Sequence, residues 1–282
     1  MVQSSILIPC INHATMMTTP VEIFLECIKK AGFYAVELRR DETFDFLKKH
    51  SIDDLKQILS KNRIKVITWN AIELFSLCSE KEFKYIYDYT EKLMKIGNQI
   101  GCDTIIAVPS FIDDLNLSKT QIFEYTIKRF QILRKLANQY DFKVGFEPLG
   151  FENCSIRSIQ DSLKIIEESE KDGLESSGLI IDTFHFFTAG HNPEDLKLIP
   201  KDKLWLIHID DAIDKPLNTL KDSDRVFLGE GVFPLANFIK NLKEINYKGY
   251  LSIELFNEKY WKLDPLVVAK RSFESIKKFI NF

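Results

Sequence analysis

The chain has 282 residues, of which 45% are hydrophobic and 28% charged, and its formal net charge is −3. A chain of this length buries most of its unfolded surface and needs no covalent staples, and the length suits one α/β barrel. The mild acidity, with a pI near 6.0 and no large cluster of Lys and Arg, speaks against a nucleic-acid or membrane partner.

Short β-branched runs alternate with longer amphipathic stretches along the whole chain. Ser5–Pro9 reads as the first strand and Val21–Lys30 as the helix after it. Ala35–Leu38, helix Asp53–Asn62, strand Lys65–Asn70 and the long helix Glu82–Ile100 follow. Next come strand Thr104–Val108, helix Thr120–Gln139, strand Lys143–Glu147 and helix Ile159–Glu170. Strand Gly178–Asp182 leads to a short helix near Pro193–Leu198, then to strand Leu204–Asp210 and helix Leu235–Glu244. Strand Tyr250–Glu254 and helix Pro265–Phe279 end the series. Eight strands alternating with helices predict parallel pairing through right-handed crossovers. No linker or change of composition interrupts residues 1–282, so one domain is expected.

Five cysteines, Cys10, Cys27, Cys78, Cys102 and Cys154, form no C-x-x-C pair. An odd count argues against a disulfide framework and against a structural zinc site, and fits reduced thiols in a cytoplasmic protein. The first residues lack a charged segment followed by an apolar core, so no signal peptide is expected. No apolar run approaches the ~20 residues that span a bilayer.

The polar residues that end the later strands carry the chemistry. Strand five ends in Glu147, strand six in Asp182, strand seven in His208-Ile-Asp210 and strand eight in Glu254. A single acidic residue after a strand is most often a helix cap or a solvated charge. Four consecutive strand ends with ligand-type side chains point elsewhere. In a closed parallel barrel these ends meet at one mouth. Three carboxylates gathered there repel one another unless a cation neutralises them. One divalent ion (Mn²⁺, Zn²⁺, Co²⁺ or Mg²⁺) is therefore expected on Glu147, Asp182, His208 and Glu254. This convergence favours the barrel over a doubly wound sheet.

Asp210 lies on the same strand face as His208 and is expected to orient its imidazole or to approach the metal from behind its ligands. His185 follows Asp182 by three residues, and Arg225 precedes the turn Leu-Gly229-Glu-Gly231; both are expected to bind substrate. Trp69, at the end of strand three, is expected to line the mouth with Phe184, Phe186 and Phe256 as apolar walls for a sugar or cyclic polyol. Such a partner is a small molecule; the composition is equally compatible with a monomer and a homo-oligomer.

These motifs resemble the xylose-isomerase-like barrel superfamily of sugar isomerases, 3-epimerases and inositol-catabolism enzymes. The matching text is FEPLGFENCSI at 146–156, LIIDTFHFFTAG at 179–190, LIHIDDA at 206–212, DRVFLGEG at 224–231 and SIELFNEKYW at 252–261. Within the superfamily the inosose (2-keto-myo-inositol) isomerases are the most similar. The N-terminal half matches only in its βα pattern. The resemblance implies a (β/α)8 TIM barrel, metal ligation by Glu147, Asp182, His208 and Glu254, and substrate contacts from His185 and Arg225. It implies a divalent-metal-dependent isomerase; since isomerising an α-hydroxy ketone requires moving a proton from the carbon beside the carbonyl, Glu147 and Glu254, ending strands on opposite sides of the cluster, are expected to exchange it. Ketohexose 3-epimerases carry a glutamate where this chain has Asn153, a departure that argues against that subgroup. A ketose 3-epimerase or an inosose dehydratase remains as an alternative on the same fold, and a non-catalytic binding barrel as a remoter one.

Overall fold

The computed structural model describes residues 7–112 and 116–280. Its strands are β1 (Leu7–Asn12), β2 (Ala35–Arg39), β3 (Lys65–Ile72), β4 (Thr104–Ala107), β5 (Lys143–Phe146), β6 (Ser177–Asp182), β7 (Leu204–Ile209), the two short pieces β8 (Asp211–Ala212) and β9 (Arg225–Val226), and β10 (Gly249–Ile253). Eight of them close into a barrel in the order β1-β10-β7-β6-β5-β4-β3-β2, with β2 returning to β1. All eight pairings are parallel. The short β8 and β9 form a separate antiparallel pair beyond the end of β7. The expected (β/α)8 barrel is the observed fold.

Helices α1 (Val21–Ala31), α2 (Arg40–Leu47), α3 (Ile52–Asn62), α4 (Glu80–Ile100), α5 (Lys119–Asn138), α6 (Ile159–Glu170), α7 (Thr183–Thr188), α8 (Leu235–Glu244), α9 (Glu258–Trp261) and α10 (Pro265–Ile280) fill the connections. Sequence chemistry sets several of their starts. Ser51 with Asp54, Ser79 with Glu82 and Ser118 with Gln121 each form a capping box that satisfies free N–H groups of the first turn. Asp182 caps α7 by accepting from the His185 amide.

Strand alternation sorts the side chains. A small inner cluster (Cys10, Ile67, Ile106, Ile180, Leu206) fills the barrel axis. A far larger cluster lies between strands and helices. Gly178 is required where it stands, because a Cβ there would collide with the Trp205 ring.

Two expectations change. The first strand was expected over Ser5–Pro9; Ser5 and Ile6 lie outside the described residues, and pairing continues past Pro9 through Cys10–Ser252 and Ile11–Ile253 to Asn12. The short helices α7 and α9 were not expected; α2, with only Thr43 and Phe46 of its eight residues buried, ends where the basic run Lys48-Lys49-His50 reads as the end of a helix. Among the described residues no helix is long and apolar enough to cross a membrane.

His13 sits just past β1, fully buried, its Nε2–H donating to the Thr19 carbonyl at 2.8 Å and its ring stacked on Phe24 at 4.2 Å. Burial pushes its pKa down from 6.5 to about 4. The unfolded chain then binds the proton more readily, so stability is full above pH 6.5 and falls as pH drops toward 4. The loss by pH 4 should reach about 3 kcal/mol. Urea denaturation of wild type and His13→Gln at pH 7 and pH 4.5 should show a smaller acid loss in the variant; equal losses would place the acid sensitivity elsewhere.

Candidate metal centre and substrate cavity

The carboxyl ends of β5, β6, β7 and β10 bring Glu147, Asp182, His208 and Glu254 together, all four buried, with one ligand atom of each lying within 4.8 Å of the others. Glu147 follows β5 directly, and its N–H bonds to the Ala107 carbonyl of β4. On β7 the outward Ile207 and Ile209 pack under the helices, so Leu206, His208 and Asp210 share the inner face.

His208 presents Nδ1 to the cluster, 2.7 Å from Glu147 Oε1 and 3.2 Å from Glu254 Oε2. Its Nε2 faces Glu37 Oε2 at 3.1 Å. Burial opposes a charge on this ring, yet the carboxylates of Glu254, Glu37 and Glu147 outweigh it and hold its pKa well above 6.5. Burial also pushes the Glu147 carboxyl up to about 7, against the pull of His208. The cluster thus demands positive charge at its centre. Three carboxylate oxygens and one imidazole nitrogen, with the other ring nitrogen held by a carboxylate, form the donor set that suits one divalent cation. A cation there takes over the role of the His208 proton.

Glu37 is one of the residues that the sequence does not announce. Buried in β2, it accepts from Thr68 Oγ1 at 2.7 Å and from Ser252 Oγ while facing His208. Among the described residues Asp210 makes no hydrogen bond to His208 and meets the cluster through Arg225, which also reaches Asp182. Its carboxylate takes Thr183 Oγ1 at 2.6 Å and Arg225 Nη1 at 2.7 Å. Burial and the nearby Asp182 raise its pKa well above 3.8.

Arg225 is 1% exposed and ties the mouth together. Nη1 reaches Asp182 Oδ2 at 2.5 Å and Asp210, and Nη2 reaches Asp222 Oδ1 at 2.9 Å and His185 Nε2 at 3.1 Å. The guanidinium lies over Phe184 and Phe256. Since His185 Nε2 accepts from Arg225, its proton sits on Nδ1, and burial keeps the ring neutral by lowering its pKa. The loop bearing Arg225 is shaped by the buried Asp211, which accepts from the amides of Ala212, Gly229, Gly231 and Phe233. Gly229 adopts φ +82°, and a Cβ on Gly231 would strike Ala212 O. The turn therefore closes through these glycines and the four amides held by Asp211.

Above the cluster opens a cavity of about 240 Å³, lined by Glu147, Glu254, His185, Arg225 and Asp222, and by Arg39, Asn70 and Glu73 from the β2 and β3 ends. Its apolar walls include Leu74, Phe111, Leu149, Phe151 and Phe256. Trp69 is not among them. It is fully buried between β3 and α4, where a Cβ on Gly97 would lie 2.8 Å from its Nε1. Strand alternation sends Trp69 outward and its neighbour Asn70 inward. Phe186 likewise packs outward against Phe187 and Phe238. Asn153 is exposed on the loop after β5 and lies outside the cavity lining.

Two amides lock Glu254. Asn12 Nδ2 donates to its Oε1 at 2.8 Å and Asn70 Nδ2 to the same oxygen at 3.0 Å. Neither asparagine was singled out by sequence, and ending the first strand at Pro9 hid Asn12.

The model of the family described as xylose isomerase-like TIM barrel matches residues 25–279. An inosose isomerase of Bacillus subtilis (strain 168) is 30% identical over 271 residues, 95% of each chain. One from Halalkalibacterium halodurans is 30% identical over 256 residues, covering 90% of this chain and 89% of the relative. The crystal structure of the IOLI protein with a binding zinc atom superposes with a TM-score of 0.90 at 28% identity, covering 98% of each chain. With the barrel, the four strand-end residues and these matches together, the chain belongs to the xylose isomerase-like TIM barrel family and, within it, to the inosose isomerases.

Proposed function

We propose that this protein isomerises 2-keto-myo-inositol, moving the carbonyl to the adjacent ring carbon. The observation that carries the reading is the convergence of Glu147, Asp182, His208 and Glu254 at the floor of a cavity of about 240 Å³. These four residues would hold one divalent ion, which when bound polarises the substrate carbonyl and stabilises an enediolate.

Proton transfer falls to the glutamates. Glu254 has one oxygen held by Asn12 and Asn70 and the other facing His208 and Arg225. Glu147 is engaged through Oε1 alone among the hydrogen bonds of the described residues, and it lines the cavity. Glu147 is therefore the residue assigned to take the proton from the carbinol carbon beside the carbonyl and return it to the former carbonyl carbon. The hydroxyl proton passes between the two oxygens of the enediol, and no oxidant enters. Arg225 and neutral His185 border the substrate. The apolar walls exclude water and suit the C–H faces of a ring.

The test is to incubate metal-loaded protein with 2-keto-myo-inositol and with a panel of ketohexoses, identifying products by NMR. A 1-keto product from the inosose and slow or absent epimerisation of the hexoses is expected. A diketone, formed by loss of water, would make the protein a dehydratase, and preferred epimerisation of a ketohexose would make it an epimerase.

A further inference from the structure

Arg39 stands at the carboxyl end of β2 on the cavity wall, among residues that the metal cluster does not use. Its Nη1 donates to Asn70 Oδ1 at 2.8 Å and its Nη2 to Glu73 Oε1 at 3.0 Å. Its Nε is buried with no hydrogen-bond partner. Across the mouth, Arg225 is arranged in parallel fashion with Asp222 at 2.9 Å. The Phe256 ring lies beside both guanidiniums, 5.3 Å from each. The mouth therefore carries two arginine–carboxylate pairs with one aromatic ring between them.

The charges of these pairs cancel locally, and the carboxylates lining the cavity (Glu73, Glu147, Asp222, Glu254) outnumber its two arginines. Such a wall offers directed N–H donors and carboxylate acceptors without net positive charge. It suits hydroxyl groups, which donate and accept at once, and it disfavours a phosphate or carboxylate. Glu73 and Asp222 are each 42% exposed at the side chain, so their oxygens are open to an incoming ligand. Arg39 is linked to Glu254 through the single amide of Asn70, so it stands on the cavity wall beside the cluster and not within it.

Resting on the isomerase reading above, we propose that Arg39, with Glu73, forms the specificity subsite for the far edge of an uncharged cyclic polyol, gripping a hydroxyl remote from the carbonyl. Arg39 also fixes the direction of the Asn70 amide, so a purely positional role must be separated from contact with substrate. A positional role slows every substrate by the same factor. A contact is lost only once, whether the arginine or the hydroxyl is removed.

The experiment uses the full metal-loaded chain as wild type, Arg39→Met, Arg39→Lys and the milder Glu73→Gln. The probes are 2-keto-myo-inositol and its 4-, 5- and 6-deoxy analogues, with binding followed by calorimetry and turnover by NMR. For wild type, at least one analogue should bind about 10–100-fold more weakly than the parent, the range of a hydrogen bond to a charged group. Arg39→Met should weaken the parent by a similar factor and leave that analogue no worse than the parent. Glu73→Gln should show the same coupling in smaller degree, which keeps the test in force if an Arg39 variant fails to fold. Parallel losses for all four ligands would overturn the subsite and leave Arg39 a positioning residue. Binding with coupling but without isomerisation would keep the subsite and sink the isomerase reading; turnover without coupling would do the reverse. Absence of binding by all four would overturn both.

Discussion

Glu147→Gln, loaded with metal, should turn over 2-keto-myo-inositol 10²–10⁴-fold more slowly than wild type, on the order of 3–5 kcal/mol of barrier. The amide keeps the shape of the side chain and one oxygen for the cluster but cannot take a proton. The expectation is specific to Glu147 because the two glutamates are not equivalent. Glu254 Oε1 already accepts from Asn12 and Asn70, whereas Glu147 meets His208 through Oε1 and borders the cavity. Glu254→Gln at equal metal occupancy should fall less through proton transfer and more through weakened metal affinity. Rates must accordingly be normalised to metal content. Full activity of metal-loaded Glu147→Gln would assign the proton step to another group at the mouth.

Arg225→Met should lower the stability of the metal-free protein by roughly 3–5 kcal/mol, the cost of leaving buried charges without their partner. The arginine is 1% exposed and neutralises Asp182 and Asp210 at 2.5 and 2.7 Å. Methionine preserves much of the packing against Phe184 and Phe256 and removes only the charge and its hydrogen bonds. A cation at the cluster compensates Asp182, so the metal-loaded variant should be destabilised less than the stripped one. Metal content should stay near one equivalent, since Arg225 competes with a cation for Asp182 and supplies no ligand atom. Denaturation with and without metal, together with metal analysis, checks both halves. A stripped variant as stable as wild type would contradict the role of Arg225 as the counter-charge of this mouth.

The parts of the site that were readable from sequence share one property: each ends an apolar run in a strand of the C-terminal half. Glu147, Asp182, His208 and Glu254 are polar residues at the point where a barrel strand meets its loop, and strand geometry then forces convergence. What escaped the reading depends on contacts between distant segments. Glu37 is a single acid inside β2, and only closure of the barrel brings it within 3.1 Å of His208, 171 residues away. Asn12 and Asn70 meet over one oxygen of Glu254 although they come from β1 and β3. Trp69 and Asn70 adjoin in sequence, but the pleat sends one to the helices and the other to the site. The register of β3 shifts near both, against β2 between Val36 and Glu37 and against β4 between Trp69 and Ile72. No periodicity in the sequence announces such a shift, so the inward face of β3 was assigned wrongly. Asp210 shares a face with His208, yet Arg225, at the start of β9, takes its carboxylate, so it stands behind Asp182 and does not orient the imidazole.

The central claim is that four strand ends hold one cation at the floor of the cavity. Anomalous diffraction from crystals grown with Zn²⁺ or Mn²⁺ tests it directly. The account predicts one strong peak ~2.0–2.3 Å from a ligand atom of each of Glu147, Asp182, His208 Nδ1 and Glu254, with His208 Nε2 still bonded to Glu37. A metal-loaded crystal with these side chains turned apart, or with its peak elsewhere on the molecule, would contradict it.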